Sequence, residues 1–300
     1  RRQRRCDVAV LYALLAAASW GAADFLGGLL GRRAKPLAVA FAAALTGFVL
    51  LAGLVLLTGG EPTARDLWWG AAAGLGGGAG VALLYRGLAV GRMALVAPVT
   101  AVGAALLPVA WGLARGERPG LVVGLGALLA LVAVALVSWE TADLDDGDAT
   151  ETATGVVPPP AATRLAPGLV EAVGSGIGFG TFFILIDQVS SSAGLWPLVP
   201  MRAASVLLML VVAAIVRVDV RPPRALWWPI LAVGTLDTIA STLYLLATRV
   251  GLLSLVAVLG SLYPAGTVLL ARAVLRERIG PVQAVGLLLA AVAVTLITVG

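Results

Sequence analysis

Long apolar runs separated by short polar breaks set the pattern of this chain. Ten runs stand out, at 8–30, 36–57, 67–88, 93–113, 120–138, 168–188, 196–216, 226–247, 252–272 and 281–299. Each is about as long as an α-helix must be to cross roughly 30 Å of hydrocarbon. The breaks carry Gly, Pro and Arg, as in Thr58-Gly59-Gly60-Glu61-Pro62 and Arg221-Pro222-Pro223-Arg224. The pattern predicts an all-α integral membrane protein of ten transmembrane helices. Arg1 to Arg5 ahead of an apolar run, with Ala16-Ala17-Ala18 behind it, has the outline of a secretory signal. Apolarity continues to Leu30, however, beyond the core of a signal, so this run is read as a retained span.

One stretch breaks the pattern. Trp139 to Pro167 holds six of the 16 acidic residues and four of the 16 prolines of the chain. A segment so polar and Pro-rich cannot bury enough apolar surface to fold, and reads as a solvated linker. The sequence before it is largely repeated after it, at an offset of about 160 positions. Ser19-Trp20-Gly21 falls near Gly178-Phe179-Gly180, and Lys35-Pro36-Leu37 on Trp196-Pro197-Leu198. Leu67-Trp68-Trp69 matches Leu226-Trp227-Trp228, Tyr85 matches Tyr244, Gly91 matches Gly251, and Glu117-Arg118-Pro119-Gly120 matches Glu277-Arg278-Ile279-Gly280. The expected organisation is a first five-helix repeat over 1–138, the linker over 139–167 and a second five-helix repeat over 168–300. Five spans per copy is an odd number, so the copies are oppositely oriented, the inverted-repeat design of many secondary transporters.

Composition sharpens this picture. A mean hydropathy of +1.00 with 12% charged residues leaves no surface for a water-soluble domain. The net charge of +5 comes from arginines between the runs, which points to anchoring at the interface and excludes a nucleic-acid role. Counted over the span ends, the arginines lean against a cytoplasmic N-terminus. The single cysteine, Cys6, rules out an intramolecular disulfide. The chain has no histidine, which removes His-based acid–base catalysis, Ser-His triads and His-containing metal sites. No enzyme activity and no cofactor are expected.

One set of short motifs recurs: Trp20-Gly21 in the first span, Tyr85-Arg86-Gly87-Leu88-Ala89 closing the third, and Met93-Ala94-Leu95-Val96-Ala97-Pro98 opening the fourth. Arg115-Gly116-Glu117-Arg118 before the fifth span and Leu275-Arg276-Glu277-Arg278 before the tenth complete the set. In these residues the chain resembles the drug/metabolite transporter superfamily, EamA type. The second copy departs from it with Arg249-Val250 in place of Ala89-Val90, and Arg276 in place of Gly116. The resemblance implies a secondary carrier in the plasma (inner) membrane with both termini cytoplasmic. It would move a small metabolite outward, an amino acid or an amphipathic organic compound. A flippase for a lipid-linked headgroup and a non-transporting membrane subunit are the alternatives. The expected partners are the lipid bilayer and the substrate, with protons as coupling ion and a homodimer as candidate assembly.

The candidate chemistry sits inside the spans. Asp237 lies about 11 residues into the eighth span, where a carboxylate is costly unless it faces a partner or water. Gly234, Asp237, Ser241, Tyr244 and Thr248 follow at steps of three or four, forming a polar stripe on one helix face. The stripe either braces helix packing or binds substrate or proton. Asp24 shares a face with Trp20, Gly27 and Gly28, and offers a second carboxylate for a cation or proton. Arg202, roughly 7 Å past Pro197 along its helix, either snorkels to the interface or reaches the cavity to hold a carboxylate. Pro98, Pro108 and Pro264 fall within spans 4 and 9 and are expected to interrupt them beside the site. Tyr85 enters as the counterpart of Tyr244. Asp187 is read as interfacial, Glu117 and Glu277 as structural, and Trp68, Trp69, Trp227 and Trp228 as interface anchors. Gly27/Gly31, Gly70/Gly74/Gly78, Gly76/Gly80, Gly174/Gly178 and Gly176/Gly180 place small residues on single faces. Spans 1, 3 and 6 are therefore expected to pack tightly inside, with spans 5 and 10 facing lipid.

Overall fold

A computed structural model describes residues 2–90, 93–138, 167–276 and 279–299; within its helices the side chains of 2–6, 85, 88–90, 93–95, 97 and 98 lie outside that description. The apolar runs form helices because a backbone in lipid must satisfy its hydrogen bonds internally. The described residues contain α1 (Arg2–Gly31), α2 (Pro36–Thr58), α3 (Ala64–Val90), α4 (Met93–Ala114) and α5 (Leu121–Val137). The second half has α6 (Leu169–Asp187), α7 (Leu198–Val216), α8 (Trp227–Thr248), α9 (Leu253–Gly260), α10 (Tyr263–Leu270) and α11 (Pro281–Val299). Helices α9 and α10, with the π-helical turn Ala271–Leu275, make up the ninth span. The fold is all-helical, with ten spans in two repeats. Apart from Pro167, the expected linker lies outside the described residues, as do Glu277 and Arg278.

The helix contacts between the halves come in matched pairs. Helix α3 packs on α6, and their counterparts α8 and α1 pack on each other. Helix α4 packs on α6 as the ninth span packs on α1, and α3 on α7 as α8 packs on α2. The second, fourth and fifth helices of each half meet their own counterparts. This is the pattern of a two-fold pseudosymmetry, and the odd span number puts its axis in the membrane plane.

Small residues set the close approaches. Gly70, Gly74 and Gly78 on α3 face α7 at Pro197, Met201 and Leu208, while Gly76 and Gly80 face Gly178 and Phe179 on α6. On α6, Gly176 and Gly180 meet Gly103 and Leu107 of α4. Backbones this close expose carbonyls to neighbouring hydroxyls: Ser175 Oγ donates to Gly80 O at 2.8 Å, and Ser205 Oγ to Gly74 O at 2.9 Å. Gly27 differs, with open space where a Cβ would stand, and Gly31 meets only the Pro36 ring of its own hairpin. Helix α1 instead makes its close contact through Gly21, against Tyr263 O and Gly266. Helices α5 and α11 pack on each other through Gly126 and Gly286 and expose Leu121, Leu128, Leu288 and Val299 on the outside. Trp68 and Trp228 are 72% and 81% exposed, as interface anchors should be, whereas Trp69 packs against the main core.

Proline acts differently in the two halves. Helix α4 runs on through Pro98 and Pro108, while the ninth span breaks at Ser261–Leu262, just ahead of Pro264. At Gly260 the ring of Tyr244 lies against the backbone, so the close contact and the break coincide. The helix C-termini also differ between the halves. Gly59 (φ 70°) ends α2 and Gly116 (φ 90°) follows α4, whereas the corresponding stops of the second half are Arg217 (φ 53°) and Arg276 (φ 58°). A side chain in this left-handed region is strained by about 1–2 kcal/mol, offset in part by a cation beside the terminal carbonyls. Arg217→Gly is therefore expected to raise stability by about 0.5–1 kcal/mol, read as a higher unfolding midpoint in detergent.

Candidate functional site

The polar side chains inside the bundle meet between α1, α7 and α8. Asp237 lies ten residues past Trp227, about 15 Å along α8 and so near mid-membrane. It lies roughly 170° around α8 from the exposed stripe Trp228, Ala232, Thr235 and Ile239, counting 100° per residue. Arg202 Nη1 pairs with Asp237 Oδ2 at 2.5 Å. Its Nη2 donates to Ser241 Oγ at 2.8 Å and to Asp237 O at 3.1 Å. Trp20 Nε1 donates to Asp237 Oδ1 at 3.0 Å, so both carboxylate oxygens are occupied. The Arg202 side chain is 9% exposed and that of Asp237 28%, which places the guanidinium among helices and the carboxylate at the edge of an accessible space. Gly47 of α2 makes room for the pair, because a Cβ there would press on Thr238 Oγ1 and Arg202 Nε.

Asp24 opens onto the same space. It is exposed, yet lies about 150° around α1 from the outward stripe Leu11, Leu15 and Ala18, on the inner face with Trp20. Among the described residues it has neither hydrogen bond nor ion pair. A Cβ on Gly27 or Gly28, one turn further along α1, would meet no atom within 4 Å. Of the other residues singled out by the sequence, Trp20, Arg202, Ser241 and Tyr244 are brought together here. Tyr85 and Pro98 stand on α3 and α4, but their side chains lie outside the described residues.

Below the ion pair the cavity ends in aromatic rings. Tyr244, fully buried, stacks on Phe183 with centroids 4.6 Å apart and lies 5.7 Å from Trp20, while Phe182 closes the group. Beyond the rings, at the end where α1 begins and α11 finishes, the two repeats are tied together. Asp66 and Thr63 cap α3 reciprocally, and Asp66 also accepts from Ser190 N at 2.8 Å and Ser190 Oγ at 3.0 Å. Glu61 N donates to Ser192 O, and Arg249 donates to Gly194 O. Burial holds the Arg249 guanidinium below its ordinary pKa, and the charge of Asp66 opposes that shift. Glu117, between α4 and α5, accepts from the amides of Leu253 and Ser254 at 2.8 and 3.0 Å, capping α9 of the other repeat. The sequence marked Glu117 as structural but held no sign of a partner 136 residues away. At the opposite end, exposed Arg86 of α3 pairs with the half-buried Glu171 of α6 at 3.3 Å, a further link between the repeats. Hydrogen bonds thus tie the two repeats together at the end of the termini.

The sequence profile of the EamA-like transporter family matches residues 7–139 and again 166–299. The chain belongs to the EamA-like transporter family. Like the rest of the family it is a multi-pass membrane protein and a transporter of small molecules. No curated protein matches it. Among solved structures, one described only as a crystal structure of a protein superposes with a TM-score of 0.73. That structure is 17% identical in sequence, and the match covers 96% of this chain and 95% of that one, a likeness of fold alone.

Proposed function

We propose that this EamA protein is a secondary carrier that moves a small organic metabolite outward across the plasma membrane by alternating access. Both termini are then cytoplasmic, and the end tied by Asp66, Ser190, Glu117 and Arg249 faces the cytoplasm. The observation that supports the reading is the polar set near mid-membrane, the Arg202–Asp237 pair bonded to Trp20 and Ser241 with Asp24 on the Trp20 face of α1, backed by aromatic rings. Pseudosymmetric halves give such a wall a counterpart state, in which the opposite ends meet and the terminal end opens. Arg202 and Asp237 neutralise one another, so Asp24 supplies the free charge of the site. An amino acid or an amphipathic compound with an ammonium group fits this arrangement: the cation near Asp24 and the indole face, the apolar body against the rings.

The test is a thermal-stability screen of the purified protein against amino acids, amines, sugars, nucleosides and polyprenyl phosphates. A ligand at one hundred times its dissociation constant adds about 2.7 kcal/mol. Asp24→Asn is expected to keep the wild-type unfolding midpoint and to abolish both the shift and transport in proteoliposomes. A hit that Asp24→Asn leaves unchanged would sink the assignment of Asp24, and a shift with polyprenyl phosphate alone would replace the metabolite carrier with a lipid flippase.

A further inference from the structure

The side chains of the mid-membrane site offer a ligand acceptors and hardly any donors. Arg202 spends three N–H groups inside the protein, one on Asp237 Oδ2 and two on Ser241 Oγ and Asp237 O. Its Nε is buried without a partner and faces Gly47 of α2, where a Cβ would stand 3.2 Å away. A guanidinium has five N–H groups, so one on Nη1 is left, on a side chain 9% exposed. The indole of Trp20 gives its single N–H to Asp237 Oδ1. The hydroxyls around the pair turn back on their own helices: Thr238 Oγ1 donates to Gly234 O, Ser241 Oγ to Asp237 O, Thr242 Oγ1 to Thr238 O and Ser261 Oγ to Ala257 O. Thr267 Oγ1 donates across to Gly21 O of α1. The break in the ninth span, where a carboxylate would look for free amides, is occupied in the same way. Leu262 N donates to Leu259 O and Ala265 N to Leu262 O, and Pro264 has no N–H.

Asp24 adds a further acceptor. On α1 it stands about 40° round from Trp20 and about 60° from Gly21, at 100° per residue. It therefore points between α8, which Trp20 reaches through Asp237, and α10, which Gly21 touches at Tyr263 O and Gly266. The residue is exposed and unpartnered among the described residues, and Asp237 is itself 28% exposed. Two carboxylates and one guanidinium leave the group one negative charge, which a monocation neutralises. A zwitterion brings its own carboxylate, which meets oxygens of the same sign and finds one N–H of Arg202 at most. Burying a charge without a partner is costly. We propose that the site selects an organic amine, an ammonium group on an apolar body without a carboxylate, and rejects the amino acid of the same side chain. The proposal rests on the reading of this site as the substrate site of a carrier, and narrows its substrate class.

The test compares ligands that differ in one group, at neutral pH, by the shift each gives to the unfolding midpoint of the purified full chain in detergent. Phenethylamine, phenylalaninol, phenylalanine and 3-phenylpropionate form one series; isoamylamine, leucinol and leucine form the second. The amines and amino alcohols are expected to bind at least about 100-fold more tightly than the amino acids, the ratio for leaving a charge buried without a partner, and 3-phenylpropionate gives no shift. In Asp24→Asn the amine response disappears, and the wild-type comparison stands even if that variant fails to fold. Amino acids that bind as well as their amines, with the response lost in Asp24→Asn, overturn the proposal and leave the carrier reading intact. Silence from every amine and amino alcohol overturns it too, as does an amine response that Asp24→Asn keeps. Selective amine binding without amine flux in proteoliposomes upholds the selectivity and removes the carrier reading.

Discussion

Asp237→Ala lowers the stability of the folded protein by about 3–5 kcal/mol, the range for breaking a buried ion pair from one side, whereas Arg202→Ala costs clearly less. The asymmetry follows from where the two side chains sit. Removing Asp237 leaves Arg202, 9% exposed, with a buried guanidinium whose Nε already lacks a partner, and leaves the Trp20 indole without its acceptor. Removing Arg202 leaves a carboxylate that is 28% exposed to the cavity and still bonded to Trp20. The remaining charge can be hydrated in the second case and not in the first. Replacing the pair together, Arg202→Met with Asp237→Leu, is expected to recover most of the stability, since the uncompensated charge and not the lost attraction dominates the single-site cost. Denaturation in mixed micelles measures all three variants. Equal costs for the two single substitutions would mean that both side chains are equally hydrated and that the cavity does not reach Asp237 from one side. Transport is lost in all three, because the double variant restores packing without restoring the polar site.

The sequence made part of this site legible, for reasons that differ from residue to residue. Asp237, Ser241 and Tyr244 recur at helical spacing on a helix otherwise apolar, and local periodicity survives into any fold that keeps the helix. Asp24 and Trp20 sit one turn apart, so their common face was equally plain. Arg202 stood between two readings, snorkelling and cavity-facing, because a side chain that long reaches either from the same backbone position. What decides is Asp237, 35 residues away on another helix, and such a distance is invisible to local pattern. The same holds for Trp20 and Asp237, which are 217 residues apart. Repeat symmetry pointed to the Tyr85 and Tyr244 positions and to the paired glutamates, but it could not show that the Arg202–Asp237 pair breaks the symmetry. Shifted back by about 160 positions, Arg202 and Asp237 fall on Ala42 and Gly77, so the site belongs to one half more than to the other. Asp187, read as interfacial, closes α6 half-buried. Pro264 marked the broken span correctly, while Pro98 and Pro108 did not break theirs. A missing N–H costs one hydrogen bond in either helix; in the ninth span the Tyr244 ring lies against Gly260 beside the break.

Glycine spacing was the least reliable guide, and it yields the other large expected effect. Gly74→Ala is expected to destabilise by at least about 1–3 kcal/mol, whereas Gly27→Ala stabilises by about 0.5–1 kcal/mol. Both glycines belong to four-residue small-residue repeats, and sequence alone treats them alike. In the fold, a Cβ on Gly74 lands on the backbone carbonyl of Met201, which no rotamer change can move aside. Helix α3 must then retreat from α7, and with it go the Ser205–Gly74 hydrogen bond and the Gly70 contact at Pro197 one turn away. Because α3 also packs on α6 through Gly76 and Gly80, the retreat is resisted from the other side and the strain is not relieved locally. At Gly27 a Cβ points into open space, so alanine adds helix propensity without a clash. Unfolding midpoints of the two variants give the comparison directly. A mild Gly74→Ala would show that α3 and α7 slide freely, and the rigid contact between the repeats would have to lie elsewhere. A destabilised Gly27→Ala would place a neighbouring helix where the cavity now lies, and Asp24 would lose its access to substrate.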